Sequence, residues 1–322
     1  MNCFIRSFEL TLSINSDDFD KQLYRAIRRA AKAGWVQNAD YGYTDSSLKS
    51  EGIMILYLDS NKKKKIRLIV KPSSVIDEGM EMYWKPKPGN IPKLLNRLGK
   101  LIGTYFNSDY ELDDFKLNRM DFAMGIDVGS RGKVLDYIKA LHTIGRVKRF
   151  SPVKYDREGE FSKDNCFCLM GNTNGIEFSA CGSTDTKRVL DVGVKLMAKE
   201  VIRAYSGDVD TSGRIAILAK GVDHILMDTF NYIIPQGGYY KKKEAEKLIA
   251  EGVKDRPLRR KMLRLLELIP AKKSLHLAQK ASGIRDIEKV MDKFSEIGVS
   301  PITLSKRHNA KHLKCLHSYL IG

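Results

Sequence analysis

The chain has 322 residues, enough to bury a substantial core in two or three domains, and its apolar content of 43% is ordinary for a globular protein. It carries 56 Lys+Arg against 39 Asp+Glu, a formal net charge of +17, which costs self-repulsion and is most simply explained by a polyanionic partner. The composition excludes a disordered chain, and no stretch reaches the ~18 uninterrupted apolar residues of a transmembrane helix.

The first segment, Cys3 to Ile14, alternates as a strand does, with no long apolar run or small-residue cleavage site to mark a signal peptide. Asp17 or Asp18 can cap the following helix, Phe19 to Ala33, which ends at Gly34. Phe19, Leu23 and Ile27 form its apolar face. Lys21, Arg25, Arg28, Arg29 and Lys32 form a separate basic stripe, which is either a solvated face or a phosphate track. Ile53 to Asp59 and Ile66 to Lys71 predict a hairpin with Lys62, Lys63, Lys64 and Lys65 in its turn; lysines there ordinarily serve solubility alone. Pro92 opens a helix that turns Leu94, Leu95, Leu98, Leu101 and Ile102 inward and ends near Gly103 or Tyr105.

Leu117 to Asp127 is the clearest strand. Met120, Phe122, Met124 and Ile126 take one face, and Arg119, Asp121, Ala123, Gly125 and Asp127 the other. A helix burying Val134, Leu135, Ile138 and Leu141 follows, then a polar loop over Tyr155 to Asp164. Three more strands come next: Cys166 to Met170, Gly175 to Cys181 and Arg188 to Leu196, the first two joined as a hairpin by Gly171 to Gly175. The order strand, helix, hairpin, helix thus occurs twice, as a diverged internal duplication would give. Beyond Thr211 the chain is helical through Ile215, Leu218, Ile225 and Phe230, with a break at Pro235-Gln236-Gly237-Gly238. From Tyr239 to Gly322 there are 20 Lys+Arg and 9 Asp+Glu, so most of the surplus charge lies in the last quarter.

In that quarter Ile287, Val290, Met291, Phe294 and Ile297 make an apolar helix face, Gly298 a turn, and Ser300 with Pro301 the start of a second helix. Phe294 to Asn309 resembles the helix-turn-helix of bacterial repressors of the Lac type, through Gly298, Val299, Ser300, Thr303, Ser305 and Asn309. The resemblance implies that Ile302, Thr303 and Lys306 face bases while Ser305, Arg307 and Lys311 hold phosphates. Lys241, Lys242 and Lys243 add a further phosphate-contacting run. His308, His312, Cys315 and His317 cluster in sequence, but His317 would point away from the others on a continuous helix, so zinc is not expected.

Asp121, Glu177 and Asp191 stand on separate strands. Three carboxylates on one sheet face can hold Mg²⁺ or Mn²⁺ and polarise a phosphodiester; the bland reading is three solvent-facing acids. The arrangement around them resembles replication initiators of Gram-positive rolling-circle plasmids, phages and conjugative elements. Arg119, Asp121 and Ala123 match one strand, Gly171 to Phe178 a hairpin, and Arg188 to Leu196, with Asp191, a third element. This implies a DNA partner, origin binding and metal-dependent nicking by a tyrosine. Where such initiators carry tyrosine the chain has Leu169 and Ala180-Cys181-Gly182, so the catalytic residue is unassigned among Tyr155, Tyr205, Tyr239 and Tyr240. A non-enzymatic DNA-binding regulator using residues 294–313, or an RNA-binding protein, is the alternative.

The expected fold class is therefore α+β: antiparallel sheets with flanking helices plus a basic helical C-terminal domain carrying a helix-turn-helix-like segment. Expected domains are residues 1–110, 111–235 and 236–322. Five cysteines, Cys3, Cys166, Cys168, Cys181 and Cys315, without disulfide spacing fit the cytoplasm, and a homodimer is among the assemblies expected.

Overall fold

The computed structural model describes residues 2–30, 36–38, 42–60, 63–76, 83–156, 161–180 and 188–320. The expected helix end at Ala33–Gly34, Lys32 of the basic stripe, Lys62, Cys181 and Gly182 lie outside them. In chain order the elements are β1 (Cys3–Ile14), α1 (Ser16–Ala30), β2 (Val36–Asn38), β3 (Gly42–Asp45), β4 (Ile53–Ser60) and β5 (Lys63–Val70). Then follow α2 (Pro72–Val75), α3 (Asn90–Tyr105), β6 (Lys116–Asp127), α4 (Arg131–Leu141), β7 (Ser151–Pro152), β8 (Cys166–Met170) and β9 (Asn174–Ala180). Next come β10 (Val189–Leu196), α5 (Lys199–Ser206), α6 (Thr211–Lys220), α7 (Val222–Ile233) and β11 (Tyr239–Tyr240). The last are α8 (Lys242–Gly252), α9 (Arg256–Lys272), α10 (Leu275–Ser282), α11 (Ile287–Glu296) and β12 (His312–Leu313). The fold is α+β, with antiparallel strand pairs and flanking helices, as the sequence pattern requires.

The chain divides into two compact units: Asn2–Ala123 with Lys195–Ile225, and Met124–Val194 with Leu226–Gly322. The basic last quarter falls in the same unit as residues 124–194.

In the first unit the strand order is β2-β3-β4-β5-β1-β6. Opposed residues of an antiparallel pair share a face, so the register Phe8↔Val70, Leu10↔Leu68 and Leu12↔Ile66 lines up one apolar side. These six are buried, as are Ile53, Ile55 and Tyr57 of β4. They face Phe19 and Ala26 of α1 and Leu94, Leu98 and Ile102 of α3 in the core, each fully buried side chain contributing about 1.5–3 kcal/mol. Helix α1 begins at Ser16 because Asn15, not Asp17 or Asp18, caps it: the Asp18 N–H donates to Asn15 Oδ1 at 2.8 Å. Of the lysines expected in the β4–β5 turn, Lys63, Lys64 and Lys65 belong to β5 instead, since Ser60↔Lys63, Asp59↔Lys64 and Leu58↔Lys65 continue the ladder.

In the second unit the strand order is β10-β9-β8-β7. Ser130 caps α4 through the Lys133 N–H, and Val134, Tyr137, Ile138 and Leu141 form its buried face. Helices α8 to α11 bury Ile249, Met262, Leu265, Leu266, Ile269, Val290 and Phe294 in the same unit.

The expected second helix of the helix-turn-helix is absent. After Gly298 the chain runs irregularly to β12. Pro301, Ile302, Thr303 and Leu304 are buried in succession, a pattern that no amphipathic surface helix gives. Their backbone is satisfied elsewhere: Ser300 N–H donates to the Gly238 carbonyl and Leu304 N–H to the Tyr240 carbonyl, both at 2.8 Å. The Ser300 hydroxyl accepts from Ile302 N–H at 3.2 Å, a local bond that competes with helix.

Candidate functional site

The side-chain period of two sets the first unit's most distinctive surface. Lys63 and Lys65 share one face of β5, while Lys64 turns to the other, where it pairs with Asp20 at 2.8 Å and Asp59 at 3.7 Å. That pairing, Asp20 first, raises the Lys64 pKa. Around the strand ends lies an open pocket of about 690 Å³ lined by Ser13, Ile14, Asn15, Ser16, Asp59 and Ser60, by Lys63, Lys64 and Lys65, and by Lys199 at the start of α5. Among the described residues Lys63, Lys65 and Lys199 have no ion-pair partner. Three unanswered ammonium groups, three hydroxyls and an amide therefore border one concave space. Such a set can hold an anion.

A second polar group crosses the same unit's sheet. Arg119 donates to both oxygens of Asp121, Nε to Oδ1 at 2.8 Å and Nη2 to Oδ2 at 2.6 Å, and to Glu9 at 3.1 Å. Ser7 also donates to Asp121 at 3.3 Å, and Arg67 lies 3.8 Å from Glu9. Burial works against the charge on Arg119, but Asp121 and Glu9 outweigh it and raise the Arg119 pKa.

Asp121 is thus a guanidinium-bonded structural acid. Among the described residues no group of three or more His, Cys, Asp or Glu is placed to hold a metal ion; Asp121 belongs to the first unit, Glu177 and Asp191 to the second.

The basic stripe of α1 is largely occupied. Arg25 bonds Asp109, whose pKa is lowered by Arg25 first and then by Gln22 and Lys21. Arg29 donates to the Tyr105 carbonyl at 2.7 Å and sits 4.0 Å over the Tyr105 ring. Arg28 is exposed, 5.5 Å over the Tyr24 ring. In the second unit Lys241 Nζ donates to the carbonyls of Ser305 and His308, Lys242 pairs with Glu246 at 3.7 Å, and Lys243 is exposed. Ile302 is 0% and Thr303 6% exposed, which denies both any contact with base edges. Ser305, Lys306, Arg307 and Lys311 are exposed, but on loop and not on a recognition helix.

Neither Tyr155 nor Tyr239 is activated. Tyr155 accepts from Cys168 N–H at 2.8 Å, and burial pushes its pKa up to about 12. Tyr239 is buried with its pKa raised, and Tyr240 stacks on His312 at 4.5 Å. His308 is buried beside Ser305. Absent from the sequence reading were Ser13, Asn15, Ser16, Ser60 and Lys199; only the register and the return of α5 to this unit bring them together.

No protein-family model matches the chain, and no curated protein matches it. Among solved structures it is similar to DynU16, from the dynemicin biosynthetic locus, at 9% identity over 70% of this chain and 98% of that one, with a TM-score of 0.21. Two di-domain ARO/CYC proteins are also similar. BexL, from the BE-7585A pathway, has 7% identity, 71% and 98% coverage and a TM-score of 0.22. StfQ, from the steffimycin pathway, has 8% identity, 68% and 98% coverage and a TM-score of 0.20. At such values no function passes from those proteins to this chain.

The structure, and not these matches, corrects the sequence reading: the initiator resemblance is not upheld. The assignment to a DNA-binding, DNA-replication or plasmid function, and the helix-turn-helix regulator offered as its alternative, fall with it. The missing recognition helix and the guanidinium-bound Asp121 give the physical reason. Among the described residues, no helix is long and apolar enough to cross a membrane.

Proposed function

We propose that the chain binds a small anionic ligand carrying a phosphate chain in the lysine pocket between β1, β4–β5 and α5. The observation that carries this reading is the convergence of Lys63, Lys65 and Lys199, without ion-pair partners among the described residues, on one open pocket of about 690 Å³. Its size falls within the ~300–1,000 Å³ of small-molecule sites. The net charge of +17 favours encounter with anions of any kind; the pocket supplies the place where charge is unanswered. Lys64, held by Asp20, braces the strand. Among the described residues Cys3, Cys166, Cys168 and Cys315 form no disulfide, which supports a reducing compartment such as the cytoplasm.

Isothermal titration of the full chain with sodium tripolyphosphate tests it. Binding that weakens at least about tenfold when Lys63, Lys65 and Lys199 are all replaced by alanine supports the pocket, as does weakening on going from low to high salt. No heat with the native chain, or equal affinity in the triple variant, rejects it.

A further inference from the structure

In the second unit, Cys315 follows β12 and leads into a short 3₁₀ turn, Leu316–Tyr319. The spacing Cys-Leu-His folds His317 back onto the thiol, with Sγ 3.6 Å from Nδ1. On the far side of the ring, Nε2 lies 3.1 Å from Asn231 Oδ1 on α7. An amide oxygen only accepts, so Nε2 carries the hydrogen and Nδ1 turns its lone pair to the thiol. Phe230 packs against the imidazole at 4.9 Å and fixes the ring. Burial lowers the His317 pKa, keeping the ring in its neutral, proton-accepting form.

Two further groups face the sulfur. Gly237 N–H donates to Sγ at 3.3 Å, which favours negative charge there. Tyr239 is wholly buried, its hydroxyl has no hydrogen-bond partner, and its pKa is raised by burial first and then by the nearby Cys315. Cys315 is also the one half-buried thiol among the described cysteines; Cys3, Cys166 and Cys168 are buried.

We infer that Cys315, His317 and Asn231 form a nucleophilic thiol site that accepts the acyl group of an activated ester or thioester. His317 Nδ1 takes the thiol proton as Sγ attacks the carbonyl carbon. The bond from that carbon to the leaving oxygen or sulfur then breaks, and the leaving group departs with the proton returned from Nδ1. The products are an S-acyl Cys315 and a free alcohol or thiol. Asn231 is a positioning residue, holding the tautomer without touching the reacting atoms.

The test is acetylation of the full chain by p-nitrophenyl acetate at about pH 7.5, with phenolate release followed and the acetylated residue located by peptide mass spectrometry. Acetyl on Cys315, lost in Cys315→Ala and slowed about 100-fold in His317→Gln, is the expected result. Asn231→Ala slows it as well, whereas Asn231→Asp, whose carboxylate accepts the same Nε2–H, restores it. Iodoacetamide near pH 10, where hydroxide ionises thiols without an imidazole, labels Cys315 equally in native chain and His317→Gln and shows that the variant keeps the site folded. Acetylation of His317→Gln at the native rate, or acetyl found on lysines and not on Cys315, overturns the inference. So does iodoacetamide labelling that falls in His317→Gln as far as acetylation does.

Discussion

Lys241 Nζ donates to two backbone carbonyls of one loop, Ser305 O at 2.6 Å and His308 O at 3.0 Å. A lysine from the run Lys241–Lys243 is therefore a strut under the segment that otherwise reads as a recognition helix. Its charge is turned to the protein's own backbone. Lys241→Met keeps the stem and removes both charge-assisted bonds, leaving the carbonyls to water. The expected loss is about 1.5–3 kcal/mol in urea unfolding, against less than about 0.5 kcal/mol for exposed Lys243→Met. Equal effects of the two substitutions would mean that the strut has no energetic role.

Three histidines of the second unit make its stability depend on pH. His142, His308 and His317 all have pKa values lowered first by burial. At His308, Asp136 and the Ser305 backbone pull the value up while Lys241 and Lys139 push it down; at His142 the carbonyls of Lys163 and Cys166 pull it up. Folded values below the unfolded ~6.5 mean that the unfolded chain binds more protons in that window. Stability is thus complete above pH ~6.5 and declines as the pH falls from there toward the folded values. Calorimetric melting at constant salt from about pH 7.5 to 5.5 measures it, and His308→Gln removes part of the slope. A melting temperature that is flat over this range contradicts the burial of all three.

How much was legible beforehand follows from which signals are local. β1 and β6 alternate with period two, the β8–β9 hairpin is a pair of short runs around the turn at Gly171, and α3 and α4 repeat with their apolar faces, so each could be placed from sequence. The segment after Gly298 could not. Gly298, Ser300 and Pro301 are good helix-start chemistry, but Val299, Ile302, Thr303 and Leu304 are buried against the chain from Gly238 to Lys241, and tertiary burial overrides the local signal. The lysine pocket failed to appear for a similar reason. Lys63 and Lys65 differ from Lys64 only through register and through Asp20 and Asp59, and Lys199 lies far away in sequence. The pair Cys315–His317 was visible, yet on a continuous helix it would diverge; the 3₁₀ turn, tighter than an α-turn, brings the two together.

The bidentate pair Arg119–Asp121 decides between a structural acid and a metal ligand. Asp121 is 7% exposed and its two oxygens are occupied by Arg119 and Ser7. Asp121→Ala leaves Arg119 with Glu9 alone, and Arg119→Ala leaves a carboxylate with one hydroxyl. A double-mutant cycle is expected to show coupling of about 1 kcal/mol, reduced from a buried-pair value because the Arg119 side chain is 33% exposed. Millimolar Mg²⁺ leaves the melting temperature unchanged. A rise with Mg²⁺ that Asp121→Ala abolishes would return the carboxylate to metal binding.

Two glycines of opposite character show where backbone shape is demanded. Gly237 has φ of +107°, and a Cβ there would lie 2.4 Å from Val299 C and 2.5 Å from Ser300 N. Both strain and overlap oppose a side chain, and backbone atoms cannot swing aside. Gly237→Ala is expected to cost about 2–4 kcal/mol and to weaken the bond from Gly237 N–H to Cys315 Sγ. Gly99 lies inside α3, and a Cβ there would meet nothing within 4 Å, so alanine restricts the unfolded chain and fits the helix. Gly99→Ala is expected to stabilise by about 0.5–1 kcal/mol. Thermal unfolding of the two variants side by side measures both signs, and a stabilised Gly237→Ala would show that the approach of Gly237 to Val299 is not fixed in the folded protein.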